Sequence, residues 1–330
     1  MLHAHARRTL IRSNSSTIWA MGTQIPCPRC GAFTDLEKVF CVRCGRRVIP
    51  LTEYDLDVSD FIYPPDRDAL ENLENFRPLS PIIDELVVKR YIRSALSRLS
   101  EEGEKLDFSS EVGSLLRECA LILGLESLPE TYIIRSNDLT AFTFGSDKTQ
   151  FLVLSSGLLR SLDRDELKAA IGHELGHIKC GHIKYHTLAE ILVRGMEYSL
   201  GILGGVLNLL SPVIRLMLLS WHRESEVSAD RAGLITAGNP ETVISLLRKL
   251  HRHLGGAESS VEELFSTHPA YANRVKQVLE YYRSEEYQRV RRKAEKRLEL
   301  SKALSPICRF CGNPKPLTSF FCPSCGKSQL

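Results

Sequence analysis

Hydrophobic and polar positions follow two different periods along the middle of the chain, and the period separates helices from strands. Apolar residues recur at helical spacing over 82–99 and again over 110–123, which predicts two amphipathic helices. Short runs rich in β-branched and aromatic residues follow, at 131–135, 141–144 and 151–154. These runs predict three strands.

The chain after Leu154 has a helical pattern almost to Leu304, with three interruptions. The interruptions lie at 211–212, at 238–240 and around 268–269, and each contains proline. Together these patterns predict an α+β fold, in which a larger helical body lies beside a small β-sheet.

Ten cysteines in 330 residues are too few for a disulfide-stabilised secreted scaffold, so their spacing has to explain them. Eight of them form four CxxCG knuckles, two near each end of the chain. Four thiolates bind Zn²⁺ tetrahedrally and leave no open position, which is typical of a structural site. Disulfides within each pair of knuckles are the alternative, but four copies of one knuckle favour zinc. We therefore predict two structural zinc ribbons, at Cys27, Cys30, Cys41, Cys44 and at Cys308, Cys311, Cys322, Cys325.

A second kind of metal motif occurs near the centre of the chain, as His173-Glu174-Leu175-Gly176-His177. Asp163, followed by Glu166, has the spacing of a capping box and predicts the start of this helix. Residues four apart share a helix face, so both histidines can bind one Zn²⁺. Glu174 is rotated about 100° from His173. We therefore expect it beside the metal, where it can act as general base on a water whose pKa the zinc lowers.

Such a zinc site needs a third ligand, and the acidic run at 224–230 offers two candidates. We prefer Glu226, because Asp230 lies one helical turn further on and can orient a ligating histidine. Glu224 is the alternative and has no such partner. His182 and His186 are also four apart, but no glutamate occupies the base position between them. We interpret them as part of a polar helix and not as a second site.

The motif at 173–177, followed about fifty residues later by Glu-Val-Ser-Ala-Asp at 226–230, resembles the HtpX and CAAX-prenyl-endopeptidase group of gluzincin zinc metallopeptidases. Three further stretches are similar to that group, and the resemblance covers roughly residues 82–282. They are Thr140-Ala141-Phe142, residues 152–165, and Thr267-His268-Pro269 with the following Arg274.

The resemblance implies a mostly helical gluzincin-type domain and further roles within it. His268 would stabilise the oxyanion of the tetrahedral intermediate, and Arg274 would support the site from nearby. An edge strand would bind extended peptide by adding it to the sheet. Thr140 stands where the family has asparagine, which is a departure at the start of that strand. The residues of the proposed strand are Ala141, Phe142, Thr143 and Phe144.

These features divide the chain into five parts. Residues 1–24 lack acidic side chains and are expected to form a disordered leader, with a targeting peptide or an upstream start as alternatives. Proline-bearing residues 48–80 are expected to form a linker. The first ribbon is predicted at 25–47, the metallopeptidase domain at 81–300 and the second ribbon at 305–328.

One uncharged run, at 198–214, raises the question of a membrane span. Its 17 residues fall short of the roughly 20 that a span needs. We expect instead a buried or interfacial helical hairpin over 187–220, bent near Ser211. With no apolar secretory signal, the expected location is cytoplasmic, and peripheral membrane contact is left open.

The charge balance changes the choice of partner. The formal net charge is +3, and two Cys₄ zinc sites with one further zinc would reduce it to about +1. A nucleic-acid partner is therefore not expected. We predict a zinc endopeptidase with one catalytic and two structural zinc ions, acting on peptides or unfolded proteins. The ribbons would recruit protein partners or substrate. The alternative is an inactive zinc-ribbon adaptor built on a peptidase fold.

Overall fold

The structure is a computed structural model, and it describes most of the predicted peptidase domain and part of each cysteine cluster. His268 and residues 195–211 of the predicted hairpin lie outside the described residues. These are 24–35, 39–48, 55–75, 89–146, 149–194, 212–253, 271–303, 308, 310–315 and 321–328.

Helices predominate over strands in the described residues, as expected. The strands are β1 (Gln24–Pro26), β2 (Phe33–Asp35), β3 (Gly103–Lys105), β4 (Glu130–Ile134), β5 (Ala141–Gly145) and β6 (Gln150–Ser155). The helices are α1 (Pro64–Asn75), α2 (Lys89–Glu102), α3 (Glu111–Ile122), α4 (Ser156–Ser161), α5 (Arg164–Lys179), α6 (Ile183–Arg194), α7 (Pro212–Ala237), α8 (Pro240–His253), α9 (Tyr271–Tyr282) and α10 (Glu285–Ala303).

Four strands form a mixed sheet in the order β3-β4-β6-β5. The β4–β6 pair is parallel, and the pairs at either side are antiparallel. The three predicted strands are confirmed, and β5 lies at the edge of the sheet. Strand β3 was missed because its three residues, Gly-Glu-Lys, have no apolar alternation.

The packing of α5 against α7 brings the motif at 173–177 close to the acidic motif at 226–230. A side chain at Gly172 would collide with Thr236, and a Cβ on Gly176 would lie 2.6 Å from the Cβ of Ala232. Both glycines therefore permit a close approach of the two helix backbones. The approach places the helix of His173 directly against the helix that carries Glu226.

The predicted linker at 48–80 is wrong for its middle part. Residues 58–60 form a short 3-10 helix and 64–75 form α1, which packs on α7. The prolines suggested a loop, but Pro64 and Pro65 occupy the first positions of α1, where proline is tolerated. This helix carries Asp66, which is fully buried.

Among the described residues, no helix is long and apolar enough to cross a membrane. The break predicted at 238–240 is confirmed, because α7 ends at Ala237 and α8 begins at Pro240.

Candidate active site and metal centres

Helix α5 begins as the sequence predicts. The Asp163 side chain accepts hydrogen bonds from the backbone N–H groups of Asp165 and Glu166, and Glu166 accepts one from the N–H of Asp163. This reciprocal cap satisfies donors that the first helical turn leaves unpaired. His173, Glu174 and His177 follow on the same helix, so their relative directions are fixed by helix geometry.

Two histidines of α5 and one glutamate of α7 converge on a single point. His173 Nε2 lies 3.6 Å from Glu226 Oε2, and His177 Nε2 lies 3.3 Å from Glu226 Oε1. One potential ligand atom from each of the three lies within 4.8 Å of the others. His177 and Glu226 are each only 1% exposed. Two imidazoles and a carboxylate at these distances form a donor set that suits Zn²⁺.

A buried ion pair orients His173. Its Nδ1 lies 3.0 Å from Asp230 Oδ1, and Arg274 donates to both oxygens of Asp230 at 2.7 and 2.6 Å. Burial alone would raise the pKa of Asp230, but the charge and hydrogen bonds of Arg274 lower it. An ionised Asp230 keeps the proton of His173 on Nδ1, and the lone pair of Nε2 then faces Glu226.

His177 is oriented through a second histidine. Its Nδ1 lies 3.1 Å from His182 Nδ1, and His182 Nε2 lies 3.0 Å from Asp66 Oδ2, although not in hydrogen-bond alignment. Trp221 Nε1 donates to Asp66 at 2.9 Å, and the Ser228 hydroxyl donates to it as well. Asp66 favours a proton on His182 Nε2, so His182 Nδ1 accepts from His177 and leaves the Nε2 lone pair of His177 directed at the site.

Glu174 lies beside the cluster and is held by the sheet. Thr143, on edge strand β5, donates to Glu174 Oε2 at 3.0 Å. Burial raises the pKa of Glu174 above its usual value. Burial, together with the neighbouring His186, lowers the pKa of His177 well below its usual value. The site thus places a buried carboxyl group with a raised pKa beside a buried imidazole with a lowered pKa, a combination found at functional sites.

Comparison with known proteins identifies the family of the chain. The sequence profile of peptidase family M48 matches residues 109–282, which is more than half of the chain. The chain belongs to peptidase family M48. The predicted membership of a family of peptidases is therefore confirmed.

Individual relatives agree with the M48 assignment. The chain is 32% identical over 228 residues to the plastoglobule-localized metallopeptidase 48 of Arabidopsis thaliana, covering 66% of this chain and 62% of that protein. It is 30% identical over 189 residues to a protease HtpX homolog of Thermodesulfovibrio yellowstonii, covering 45% of this chain and 67% of that protein. The chain thus spans about three fifths of the first relative's length.

One solved structure matches part of this M48 chain. The Ste24p structure from S. mikatae has a TM-score of 0.45 and 19% sequence identity, covering 65% of this chain and 61% of that one.

The eight knuckle cysteines of this M48 chain gather into two groups of four, as their spacing predicts. In the first group, the Sγ atoms of Cys27 and Cys44 lie 3.5 Å apart, and those of Cys30 and Cys41 lie 3.7 Å apart. The glycine that follows each knuckle has φ between 68° and 70°, which closes the turn. Four sulfurs at such distances fit a tetrahedral zinc ion.

Sequence reasoning missed four residues of the central site. His182 and His186 were interpreted as part of a polar helix; His186 does lie on α6, but both side chains are buried against the cluster, which that interpretation did not anticipate. Asp66 was assigned to a linker, and Thr143 only to the strand. A signal existed for His182, because it follows His177 by five residues, just beyond the helix end. No local pattern indicated Asp66.

Proposed function

We propose that the protein is a zinc-dependent endopeptidase in which His173, His177 and Glu226 hold the catalytic zinc. The observation that carries this proposal is the convergence of two correctly oriented imidazoles and one carboxylate. Three protein ligands leave a coordination position for water and substrate, as catalytic zinc sites require. Glu226 belongs to this cluster, whereas the rejected candidate Glu224 is not part of a ligand group among the described residues.

Glu174 is the proposed general base. A bound zinc would supply Lewis acidity and make a neighbouring water easier to deprotonate. The Glu174 carboxylate takes the proton from the attacking water and returns it to the nitrogen of the leaving amine. A raised pKa suits both steps, because the group must accept and release a proton near neutral pH. Thr143 holds the carboxylate in place for this work.

Asp230 and Arg274 support the centre. Arg274 Nη1 also lies 3.3 Å from Glu226 Oε2, so one guanidinium contacts both Glu226 and Asp230. Arg274 therefore holds the proposed ligand Glu226 in place and also Asp230, the residue that orients His173. The role of His268 as oxyanion donor is carried over from the family resemblance and stays a proposal.

Extended peptide is the proposed substrate. Strand β5 is the terminal strand of the described sheet and pairs with β6 on one side. A peptide backbone could add to its other side as a further strand. Thr143 belongs to β5 and contacts Glu174, so such a peptide would run past the proposed base. Unfolded segments suit this geometry because their backbone N–H and C=O groups are accessible and free to pair with an edge strand.

The cysteine clusters are proposed to be two structural zinc ribbons. Each would hold one zinc with four thiolates, which gives one catalytic and two structural ions. The ribbons would recruit substrate or a protein partner. The Arabidopsis relative is named as plastoglobule-localized, and on that basis we include peripheral contact with a lipid surface in the proposal.

The test compares wild type, Glu174→Gln and Glu224→Gln for zinc content and for cleavage of an unfolded protein. Glu224→Gln is the matched control, since it is the same substitution two positions before Glu226. We expect equal zinc content in all three proteins and loss of cleavage only in Glu174→Gln. Undiminished cleavage by Glu174→Gln would contradict the mechanism. A wild type that binds zinc in the cysteine clusters alone would favour the inactive adaptor.

A further inference from the structure

A second cluster of potential metal ligands lies beside the proposed catalytic centre. It consists of His186 on α6 with His222 and Glu226 on α7, and one potential ligand atom of each lies within 4.8 Å of the others. All three are buried, with exposed fractions of 6%, 0% and 1%. The donor set, two imidazoles and one carboxylate, is the same as that of the first cluster.

Glu226 faces both clusters with one carboxylate. Its Oε1 lies 3.3 Å from His177 Nε2 and 3.8 Å from His186 Nε2, while its Oε2 is directed at His173. The rings of His186 and His222 are 4.4 Å apart between centroids. Paired metal ions in two-metal enzymes lie about 3.5–4 Å apart, a separation at which one carboxylate can contact both ions.

Packing alone does not explain His186. Both ring nitrogens of His186 are buried, and neither has a hydrogen-bond partner within the part of the chain that the structure describes. Burial of a polar group without a hydrogen bond is unfavourable, whereas phenylalanine would fill a similar space without that cost. A metal ion would give His186 Nε2 a partner, since it is the nitrogen that faces Glu226.

We propose that His186, His222 and Glu226 form a second site for a divalent transition-metal ion, bridged through Glu226 to the proposed catalytic centre. The proposal rests on the proposed function in one respect, because Glu226 is shared. Imidazole and carboxylate donors suit Zn²⁺ and Co²⁺. Tetrahedral ligands about 2.0–2.1 Å from zinc lie about 3.4 Å from one another, and the 3.8 Å between His186 Nε2 and Glu226 Oε1 is close to that spacing.

The test counts zinc ions per full-length chain by native mass spectrometry and elemental analysis after dialysis against buffered Zn²⁺. We compare wild type with His222→Phe, His173→Phe and the control His251→Phe. His251 stacks on Tyr271 and belongs to neither cluster. Circular dichroism verifies the fold of each variant.

We expect four zinc ions in wild type and in the control, and three in His222→Phe and in His173→Phe. Three ions in wild type, with one lost in His173→Phe and none in His222→Phe, would overturn the second site and leave the proposed function intact. One ion lost in His222→Phe and none in His173→Phe would contradict the proposed catalytic centre instead.

The zinc count of the wild-type protein remains informative even if a variant fails to fold. A second measurement also uses the wild-type protein alone. Co²⁺-loaded protein is examined by electron paramagnetic resonance. Two Co²⁺ ions bridged by Glu226 should be spin-coupled, so the signal should fall below that expected for the Co²⁺ bound. A signal that accounts for all bound Co²⁺ as isolated ions would overturn the bridge.

Discussion

The cysteine clusters and the histidine–carboxylate centre bring their potential metal ligands together in different ways. Each cysteine cluster takes all four candidate ligands from a segment of 18 residues, and a tight turn closed by glycine forms each knuckle. The central cluster takes its ligands from two helices, and it depends on their close packing and on buried partners such as Asp66 and Asp230. The cysteine sets are therefore visible in the spacing of the sequence, whereas the central set becomes complete only when the two helices pack.

The two cysteine clusters also differ from each other. Phe40 precedes the second knuckle of the first cluster and is fully buried, whereas its counterpart Phe321 is 63% exposed. The first cluster is attached to the peptidase body, because Leu128 N donates to Gly45 O and Arg47 N donates to Glu126 O, both at 2.9 Å. Knuckles of the same CxxCG pattern thus occupy different environments, which the repeated pattern alone could not indicate.

Removal of a proposed zinc ligand from the central site should have the largest effect on cleavage. In His177→Ala we expect cleavage to fall by about 1000-fold or more, because a catalytic metal supplies several kcal/mol of transition-state stabilisation. One zinc should also be lost, while the cysteine clusters keep theirs. Cleavage assays and elemental analysis measure both effects, and retention of either full activity or full zinc content would contradict the assignment.

Weakening the orientation of a ligand should have a smaller effect. Asp230→Asn removes the charge that holds His173, and such partners typically contribute 10–100-fold in metal affinity or activity. Zinc affinity is measured by competition with a chelator. Asp138→Asn, at a side chain that is 71% exposed, is the control and should behave as wild type. Equal zinc affinity in both variants would contradict the proposed role of Asp230 in orienting His173.

Loss of the hydrogen bond that holds the proposed general base should reduce cleavage by a smaller factor. Thr143→Val removes the hydrogen bond to Glu174, and we expect kcat to fall about tenfold with KM little changed, from a loss of about 1–1.5 kcal/mol. Thr131→Val on β4 is the matched control, since its buried hydroxyl donates to a backbone carbonyl away from the site. A tenfold fall in both variants would indicate a general effect on the sheet.

The cysteine clusters should affect cleavage least but stability unequally. Cys27→Ser and Cys308→Ser should each lose one zinc. Only Cys27→Ser should lower the Tm of the peptidase body, by about 5 °C, because Phe40 belongs to the main core and its burial contributes about 2 kcal/mol. Calorimetry of both variants distinguishes this outcome from equal shifts, which would show that the two ribbons are equivalent.

Much of the fold followed from pattern, but contacts between distant segments did not. Hydrophobic period predicted β4, β5 and β6, and helical spacing placed His173 and His177 on one face. The pairing of His182 with Asp66 joins residues 116 positions apart, through a helix whose prolines suggested a loop. Sequence spacing carries no information on such contacts, since they arise from how helices pack.

The most direct test of the account is anomalous diffraction at the zinc edge from crystals of Glu174→Gln, which keeps the proposed ligands intact. The account predicts a peak within about 2.1 Å of the Nε2 atoms of both His173 and His177 and of a Glu226 carboxylate oxygen. A zinc-loaded crystal with no peak between these three residues, or with zinc bound to Glu224 in place of Glu226, would contradict it.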